Sequence, residues 1–325
     1  MMKKIFNTST IALVLLVSGI LVLPTSCKKD LLDQTPTGEL ASVNFWKTDA
    51  DATIALMAAY ASARAVFDRD YYFEGHGEFT RVRGTSATSG SILRGDAYQG
   101  ATYSPSGYGA SFDKYFSYLY GTVNRTNYVI ENINNRMIPG ATGARLATLE
   151  SIIAEARLLR GMTYFRLISM WGDVPYIGRI IYDNSEVKDI KRLPIGQVKD
   201  SILADFNYAV SNLPAKPSAL GRAGKPAALA FRGKLNLYWG SWKKNGWPEL
   251  EGFTQNPAEA QTAFAAAAAD FKSVINDFGL TLYKNGDPGP IDALGKADIL
   301  PNYYELFTPK ANGASEMIMV FTHSG

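Results

Sequence analysis

The stretch "AEARLLRGMTYFRLISMWGDVP", residues 154–175, carries the clearest structural signal in this chain. Its apolar and small residues recur at the spacing of one helix face, namely at Ala154, Leu158, Gly161, Phe165 and Ile168. Because Ala154 and Gly161 are small, a neighbouring helix can approach closely there. Gly172 and Pro175 then follow as a helix-terminating glycine and a later proline. The stretch predicts a long helix with a closely packed neighbour.

Helical patterns flank this stretch on both sides. A first helix is predicted from about Ala50 to Val66, and further helices are predicted over residues 112–133, 194–214, 225–242 and 257–278. In residues 225–242 the apolar face comprises Ala228, Phe231, Leu235, Tyr238 and Trp242. Antiparallel helix pairs with small residues on their packing faces indicate a tetratricopeptide-like arrangement, although the repeat is degenerate in sequence. The predicted fold class is mainly α, with long irregular loops and a few short strands, one of them in "ASEMIMVFTHSG" from Ala314.

The composition is that of a packed globular protein. Apolar residues make up 46% and charged residues 19% of the 325 residues, which excludes an intrinsically disordered chain. The formal net charge is only +3, and no block of lysine and arginine stands out. A dedicated nucleic-acid-binding protein is therefore not expected.

The N-terminus carries the features of a lipoprotein signal. Lys3 and Lys4 precede an apolar run over residues 11–23, which is too short to span a bilayer but suits the h-region of a secretory signal peptide. Cys27, the only cysteine, stands at the expected cleavage point, and the segment resembles a bacterial lipobox, with Pro24 where leucine is more usual. The sequence predicts a signal peptide over residues 1–26, a lipid on Cys27 and a polar tether over residues 27–40.

Five segments carry a family likeness when taken in order. They are "SCKKDLLDQTP", "FWKTDADATIALMAAYA", "AEARLLRGMTYFRLISMWGDVP", "GRAGKPAALAFRGKLNLYW" and "YYELFTPKANGASEMIMVF". In these segments the chain resembles the SusD/RagB family of nutrient-binding outer-membrane lipoproteins of Bacteroidetes. The resemblance implies a cell-surface protein, lipid-anchored in the outer membrane, that captures glycans and delivers them to a SusC-type TonB-dependent transporter. A peptide ligand and a protein-interaction scaffold without a small ligand stay open as alternatives.

The chain departs from this family in length. Members are usually longer, with a C-terminal region that packs on the helical repeats. We therefore expect residues 41–325 to form a SusD/RagB-like helical domain whose C-terminal part is incomplete. A fragment, an interrupted gene product and a short homologue all fit the sequence.

The sequence contains no recognisable catalytic or metal-binding pattern. The two histidines, His76 and His323, are far apart in sequence, whereas a zinc site needs three or four ligands. The chain has neither a G-x-S-x-G nucleophile motif nor a G-x-x-x-x-G-K-[ST] phosphate loop. A glycosidase needs two facing carboxylates, and nothing in the sequence places any two of Glu74, Glu78 and Asp96 opposite each other. We expect no enzyme activity, no metal and no cofactor.

The long segment 71–110 is rich in Gly, Ser, Thr and Tyr, and the resemblance places ligand contacts partly in this region. Tyrosine and tryptophan rings stack on the apolar faces of sugars, while arginine and glutamine donate hydrogen bonds to hydroxyls. The ligand-binding candidates are Tyr72, Arg81, Arg83, Tyr98, Gln99, Tyr103, Tyr108 and, from a second aromatic group, Trp247. Trp242 is expected in the core, and Trp247, in a turn, is expected to be exposed.

Overall fold

The computed structural model describes residues 45–67, 112–247, 251–286 and 302–322, together with residues 249 and 293. The helices and turns of this region belong to the compact unit that begins at Trp46. Its α-helices are α1 (Asp49–Phe67), α2 (Phe112–Asn132), α3 (Gly143–Trp171), α4 (Ile195–Asn212), α5 (Lys225–Asn245), α6 (Pro257–Asp277) and α7 (Tyr303–Leu306). A π-helical turn, Ile133–Met137, extends α2, and short 3-10 turns lie at Asn184–Val187, Glu251–Phe253 and Pro309–Ala311. The mainly helical fold class and the six long predicted helices are confirmed.

Local sequence sets where these helices end. Gly172 terminates α3 with φ +67°, a conformation that favours glycine, and its N–H donates to the Ile168 carbonyl at 3.0 Å. Pro194 precedes the first residue of α4, as predicted. The side chain of Asn256 accepts a hydrogen bond from the Glu259 N–H at 3.1 Å and so caps α6, whose first residue is a proline.

Consecutive helices pack side by side from α1 to α6, and α1 also packs on α3. The predicted face of α3 is buried, including Ala154, Leu158 and Ile168. The matching face of α5 is buried only in part, because Ala228 and Leu235 are buried whereas its three aromatic members are partly exposed. Helix α3 is therefore the centre of the core.

Helices α3 and α4 are joined by one charged pair and one glycine. Arg160 donates to both carboxylate oxygens of Asp205, at 2.8 and 2.7 Å, and both residues are buried. Its remaining Nη1 donates to Asn127 of α2 at 2.8 Å. The next residue, Gly161, lies so close to Phe206 that a Cβ atom would come within 2.6 Å of that ring. The close helix approach predicted at Gly161 is confirmed.

Helices α5 and α6 repeat this arrangement with a second set of residues. Arg232 donates to both carboxylate oxygens of Asp270, at 2.9 and 2.6 Å, and its Nη1 donates to Asn207 of α4 at 2.9 Å. A Cβ atom on Gly233 would come within 2.8 Å of the Phe271 ring. Two successive helix pairs thus use the same contacts, as expected for tetratricopeptide-like repeats.

The predicted strands do not form in the described part of the chain. The one isolated bridge there joins Val174 to Leu193, whose N–H donates to the Val174 carbonyl at 3.0 Å. Residues 314–322, predicted as a strand, contain no strand. The end of this segment instead contacts α1. The Phe321 ring stacks on Phe67 at 6.1 Å, and Arg64 of α1 donates to the Thr322 carbonyl at 2.8 Å.

Candidate functional site

An open cleft of about 660 Å³ lies between α2 and the irregular segment that follows α3. Its wall includes Phe116, Tyr120 and Asn124 from α2 and Ile177, Ile181 and Tyr182 from the segment. Most small-ligand sites in proteins are clefts of this size with apolar or aromatic linings and a few polar groups. The cleft is therefore the candidate site among the described residues.

Side chains of α2 and α3 hold residues 175–182, which form one wall of the cleft. An irregular backbone needs hydrogen-bond partners from outside itself. Tyr120 donates to the Pro175 carbonyl at 2.6 Å, and Asn124 both accepts from the Ile181 N–H and donates to the Ile181 carbonyl, each at 2.8 Å. Tyr164 of α3 accepts from the Ile177 N–H at 2.7 Å. These side chains replace the partners that a neighbouring strand would supply.

Asn127 connects this wall to the buried ion pair between α3 and α4. Its amide donates to the carbonyls of Ile177 and Arg179 at 2.9 and 2.8 Å, while its own oxygen accepts from Arg160. Burial acts against the Arg160 cation, but the hydrogen bonds and charge of Asp205 outweigh it and raise the Arg160 pKa. The guanidinium therefore stays charged, and the cleft wall rests on the same network that joins the helices.

A charged turn fixes the far end of the wall. Glu186 accepts hydrogen bonds from the N–H groups of Tyr182 and Asp183 at 2.9 and 3.1 Å and pairs with Arg179. The Arg179 guanidinium and these N–H groups lower the Glu186 pKa. Hydrogen bonds from Ser185 likewise lower the Asp183 pKa. Both carboxyls are ionised at neutral pH, so the turn keeps its geometry there.

Three aromatic rings give the cleft its chemical character. Phe116 packs on Tyr120 at 4.8 Å and edge-on against Trp171 at 5.2 Å, so its ring is held on two sides. Burial raises the pKa of the Tyr120 hydroxyl, which stays protonated. Tyr182 is 78% exposed at the cleft rim. Braced and exposed rings of this kind suit stacking on the C–H faces of a sugar.

The cleft offers little for acid–base chemistry. Among the described residues that line it, Asp183 alone carries a carboxylate. A glycosidase needs a second one, with a raised pKa in the general acid. The described ranges also hold no group of three or more His, Cys, Asp or Glu side chains placed to bind a metal ion. The arrangement is suited to binding.

Most ligand candidates from the sequence fall outside the described residues. These are Tyr72, Arg81, Arg83, Tyr98, Gln99, Tyr103 and Tyr108, and the lipidation candidate Cys27 does so too. The proposed boundaries at 26/27 and 40/41 also fall there, so these assignments stay predictions. The cleft nevertheless borders segment 68–111 in sequence, because Phe116 lies one helical turn beyond the start of α2.

Trp247 is described, and it is 46% exposed, as expected. The expectation that Trp242 lies in the core is only partly met, because it is partly exposed and packs between other rings. It stacks on Phe253 at 4.8 Å and meets Trp247 edge-on at 5.8 Å. The structure therefore does not bring Trp247 into the cleft wall but places it in a separate aromatic cluster.

Sequence reasoning missed the cleft, although α2 carried a signal for it. One face of α2 combines Phe116, Tyr120, Asn124, Asn127 and Glu131 at helical spacing. The packing face of a helix usually carries apolar residues. Asparagine side chains on such a face indicate that the segment packed against it has backbone groups that need hydrogen-bond partners. The partner segment, residues 175–182, has no regular pattern of its own and was not identified.

Comparison with known proteins gives a consistent result. A model of the SusD-like family, described as starch-binding and associating with the outer membrane, matches residues 31–237, well over half of the chain. A SusD-like protein of Bacteroides ovatus is 25% identical over 314 residues, which is 94% of this chain and 48% of the relative. The chain spans about half the length of the curated relatives it matches.

Solved structures show the same fold. A SusD homologue from Bacteroides thetaiotaomicron superposes with a TM-score of 0.60 at 22% identity, over 75% of this chain and 44% of that protein. A protein described as a laminarin-binding SusD-like protein superposes with a TM-score of 0.57 at 24% identity, over 84% of this chain and 51% of that protein. In the part of this chain that is described, none of the helices is long and apolar enough to cross a membrane.

Proposed function

The chain belongs to the SusD-like family, and from that premise we propose that it is a lipid-anchored, surface-exposed protein that captures glycans and delivers them to a SusC-type TonB-dependent outer-membrane transporter. The family description names starch, and one structural relative is described as binding laminarin. Both are glucans, so an oligomeric or polymeric glucan is the first ligand class to test. The lipid is carried by Cys27, and the ligand is passed on without chemical change.

The observation that carries this proposal is the braced aromatic cleft beside α2. Phe116 and Tyr120 are held by neighbouring rings, and Tyr182 is largely exposed at the rim. Rings that are fixed before binding lose little conformational entropy when a ligand stacks on them. The exposed Asn184 amide near Tyr182 supplies a polar group for sugar hydroxyls. Affinity then comes from a few stacked rings, and dissociation constants from tens of micromolar to millimolar are expected.

The same geometry favours binding over hydrolysis. The lowered pKa of Asp183 keeps it ionised, which is the wrong state for a general acid that protonates a leaving group. In the cleft as described it has no second carboxylate to work with. The protein therefore releases the glycan with all its glycosidic bonds intact.

Isothermal titration against a panel of starch and laminarin oligosaccharides, with a peptide pool as a separate arm, tests this function. Each titration is repeated as a turnover assay that detects new reducing ends. We expect saturable glycan binding without turnover and a loss of about 1–2 kcal/mol in Tyr182→Ala. Tyr303→Ala is the matched control, because this tyrosine is equally exposed and lies on α7.

Other results would contradict the proposal in specific ways. Binding of the peptide pool alone would favour a peptide-binding member of the family. New reducing ends would indicate a hydrolase. An unchanged affinity in Tyr182→Ala would move the site away from the cleft. In that case alanine at Tyr98, Tyr103 and Tyr108 together is the next variant, with helical content checked by circular dichroism.

A further inference from the structure

The turn between α5 and α6 carries an aromatic cluster that the cleft does not use. Its members Trp239 and Phe253 are buried, and their ring centroids lie 5.3 Å apart. Trp242 stacks on Phe253 with an interplanar angle of 17°, and Trp247 stands edge-on to Trp242 at 86°. Trp242 thus connects the buried pair to Trp247, which is the most exposed ring of the cluster.

Two backbone features fix the main chain at Trp247. Its N–H donates to the Phe253 carbonyl at 2.8 Å. Gly246, which precedes it, has φ +75°, and a Cβ atom there would lie 3.1 Å from the Cβ of Gln255. The turn therefore admits glycine at this position and sets the direction of the next residue. The Trp247 backbone is therefore fixed, and its ring packs edge-on against Trp242.

The surroundings of Trp247 indicate what the ring contacts. Nearby exposed residues of the described turn are polar: Lys244, Asn245, Gln255 and Asn256. A protein hot spot is usually enclosed by further contacts that exclude water. A single rigid ring inside a polar rim instead fits a sugar, whose ring has an apolar face and a periphery of hydroxyls.

We propose that Trp247 is a second carbohydrate contact, which stacks on one pyranose ring of a glycan chain and is carried by a different helix pair from the cleft. The class of ligand rests on the proposed function. A single stacked ring binds weakly by itself. On a polymer that also occupies the cleft, however, the second contact becomes intramolecular and raises the overall affinity. The ring therefore favours long glycans over short ones.

Ligand length provides the test. The wild-type chain, Trp247→Ala, Trp247→Phe, Tyr182→Ala and the control Tyr303→Ala are compared by affinity electrophoresis in gels containing soluble starch or laminarin. The corresponding trisaccharides are titrated by calorimetry. We expect Trp247→Ala to bind the polymer about five- to tenfold more weakly while its trisaccharide affinity changes little. Trp247→Phe should keep most of the polymer affinity, and Tyr182→Ala should lose affinity for both ligands.

The indole N–H signal of Trp247 in an NMR titration with the polymer gives a direct readout, and it should shift. If the polymer in the gel retards Trp247→Ala as much as the wild-type chain, the proposal of a second contact is wrong. The proposed function would still stand if Tyr182→Ala had lost affinity. A wild-type chain that binds neither polymer nor trisaccharide would overturn both.

Discussion

At the residue scale, a buried ion pair and an exposed ion pair differ in how much the loss of one partner destabilises the fold. The Arg160–Asp205 pair is shielded from water, with side-chain exposures of 8% and 3%, and it also reaches Asn127, which holds the cleft wall. The Arg145–Asp49 pair is about half exposed and joins the start of α3 to the start of α1. The two pairs have the same chemistry but very different energetic weight, because removing one partner of a buried pair leaves an unpaired charge without water.

The first prediction compares these two pairs. Asp205→Ala should lower the free energy of unfolding by about 3–5 kcal/mol, because the Arg160 guanidinium stays buried without its carboxylate. Arg145→Ala should lower it by less than about 1 kcal/mol. Urea unfolding followed by circular dichroism measures both values. If both variants lost the same free energy of unfolding, the buried pair would not be the more important of the two for stability.

The second prediction concerns pH. Glu186 and Asp183 have lowered pKa values, and burial raises that of Tyr120, so none of the three titrates in the neutral range. A lowered folded-state pKa contributes stability above the ordinary value, and this contribution is lost as the pH falls through the lowered one. Calorimetric glycan affinity should therefore be flat from about pH 6 to 8 and fall only below about pH 4.

Glu186→Gln is the matched variant for this pH profile. The glutamine that faces Arg179 in this variant has no titratable group. The glycan affinity of the variant should therefore depend less on pH in the acid range. If the glycan affinity of the wild-type chain instead fell with a midpoint between about pH 6 and 7, another titratable group would control the site.

At the element scale, the fold depends on how closely helices approach. The two repeats share an Arg-Gly pair on one helix and an Asp-Phe pair on the next, at residues 160–161 and 205–206 and again at residues 232–233 and 270–271. Each glycine admits the aromatic ring beside an ion pair. The ion pair and the ring contact are therefore one unit of helix packing, used twice.

The third prediction tests this unit with matched glycines. Gly161→Ala should destabilise the protein, because overpacking against Phe206 costs about 1–3 kcal/mol and exceeds the gain in helix propensity of roughly 1 kcal/mol. Gly121→Ala on α2 should instead be stabilising, since nothing lies within 4 Å of its added Cβ atom. Thermal melts measure both changes. Phe206→Leu should recover part of the Gly161→Ala loss, and strictly additive effects would argue against direct contact.

The fourth prediction concerns the wall segment, residues 175–182. Asn124→Ala removes both hydrogen bonds to Ile181, so the Ile181 N–H should exchange with solvent about five- to tenfold faster. Asn207→Ala is the matched control, because that amide contacts Arg232 on α5. Hydrogen exchange followed by mass spectrometry reports the wall peptides in both variants. Equal exchange in both would show that α2 does not hold the wall.

At the scale of the whole molecule, the proposed lipid anchor would determine where the cleft operates. The signal and the tether are predicted from sequence, and the helical unit from Trp46 carries both aromatic sites. Under the proposed function, the protein has to stay near the transporter that it serves. That proposal assigns its location to one residue outside the described ranges, Cys27.

The fifth prediction tests that residue. Cys27→Ser should move the protein from the membrane fraction to soluble fractions, because acyl chains contribute about 0.8 kcal/mol for each buried CH₂ and the variant has none. Ser26→Ala keeps the cysteine and is the matched control. Cell fractionation followed by immunoblotting measures the distribution. Membrane retention of Cys27→Ser would count against lipid anchoring.

The helices, most of their ends and the close approach at Gly161 could be predicted from the sequence, because helix periodicity and terminating residues are local signals. The sequence also carried the family resemblance in five segments. It also predicted the tetratricopeptide-like arrangement, but it did not identify the contacts that repeat, because the Arg-Gly and Asp-Phe pairs are 45 residues apart in one helix pair and 38 in the other.

The cleft, in contrast, depends on contacts between residues distant in sequence. Its wall lacks a regular sequence pattern. The role of Asn124, Asn127 and Tyr164 follows from their hydrogen bonds to the backbone of residues 175–182. The predicted C-terminal strand is absent from the described residues for the same reason, since the contacts of this segment, such as Phe321 on Phe67 of α1, are with residues distant in sequence. Local patterns specify elements, whereas partners distant in sequence specify the contacts of irregular segments.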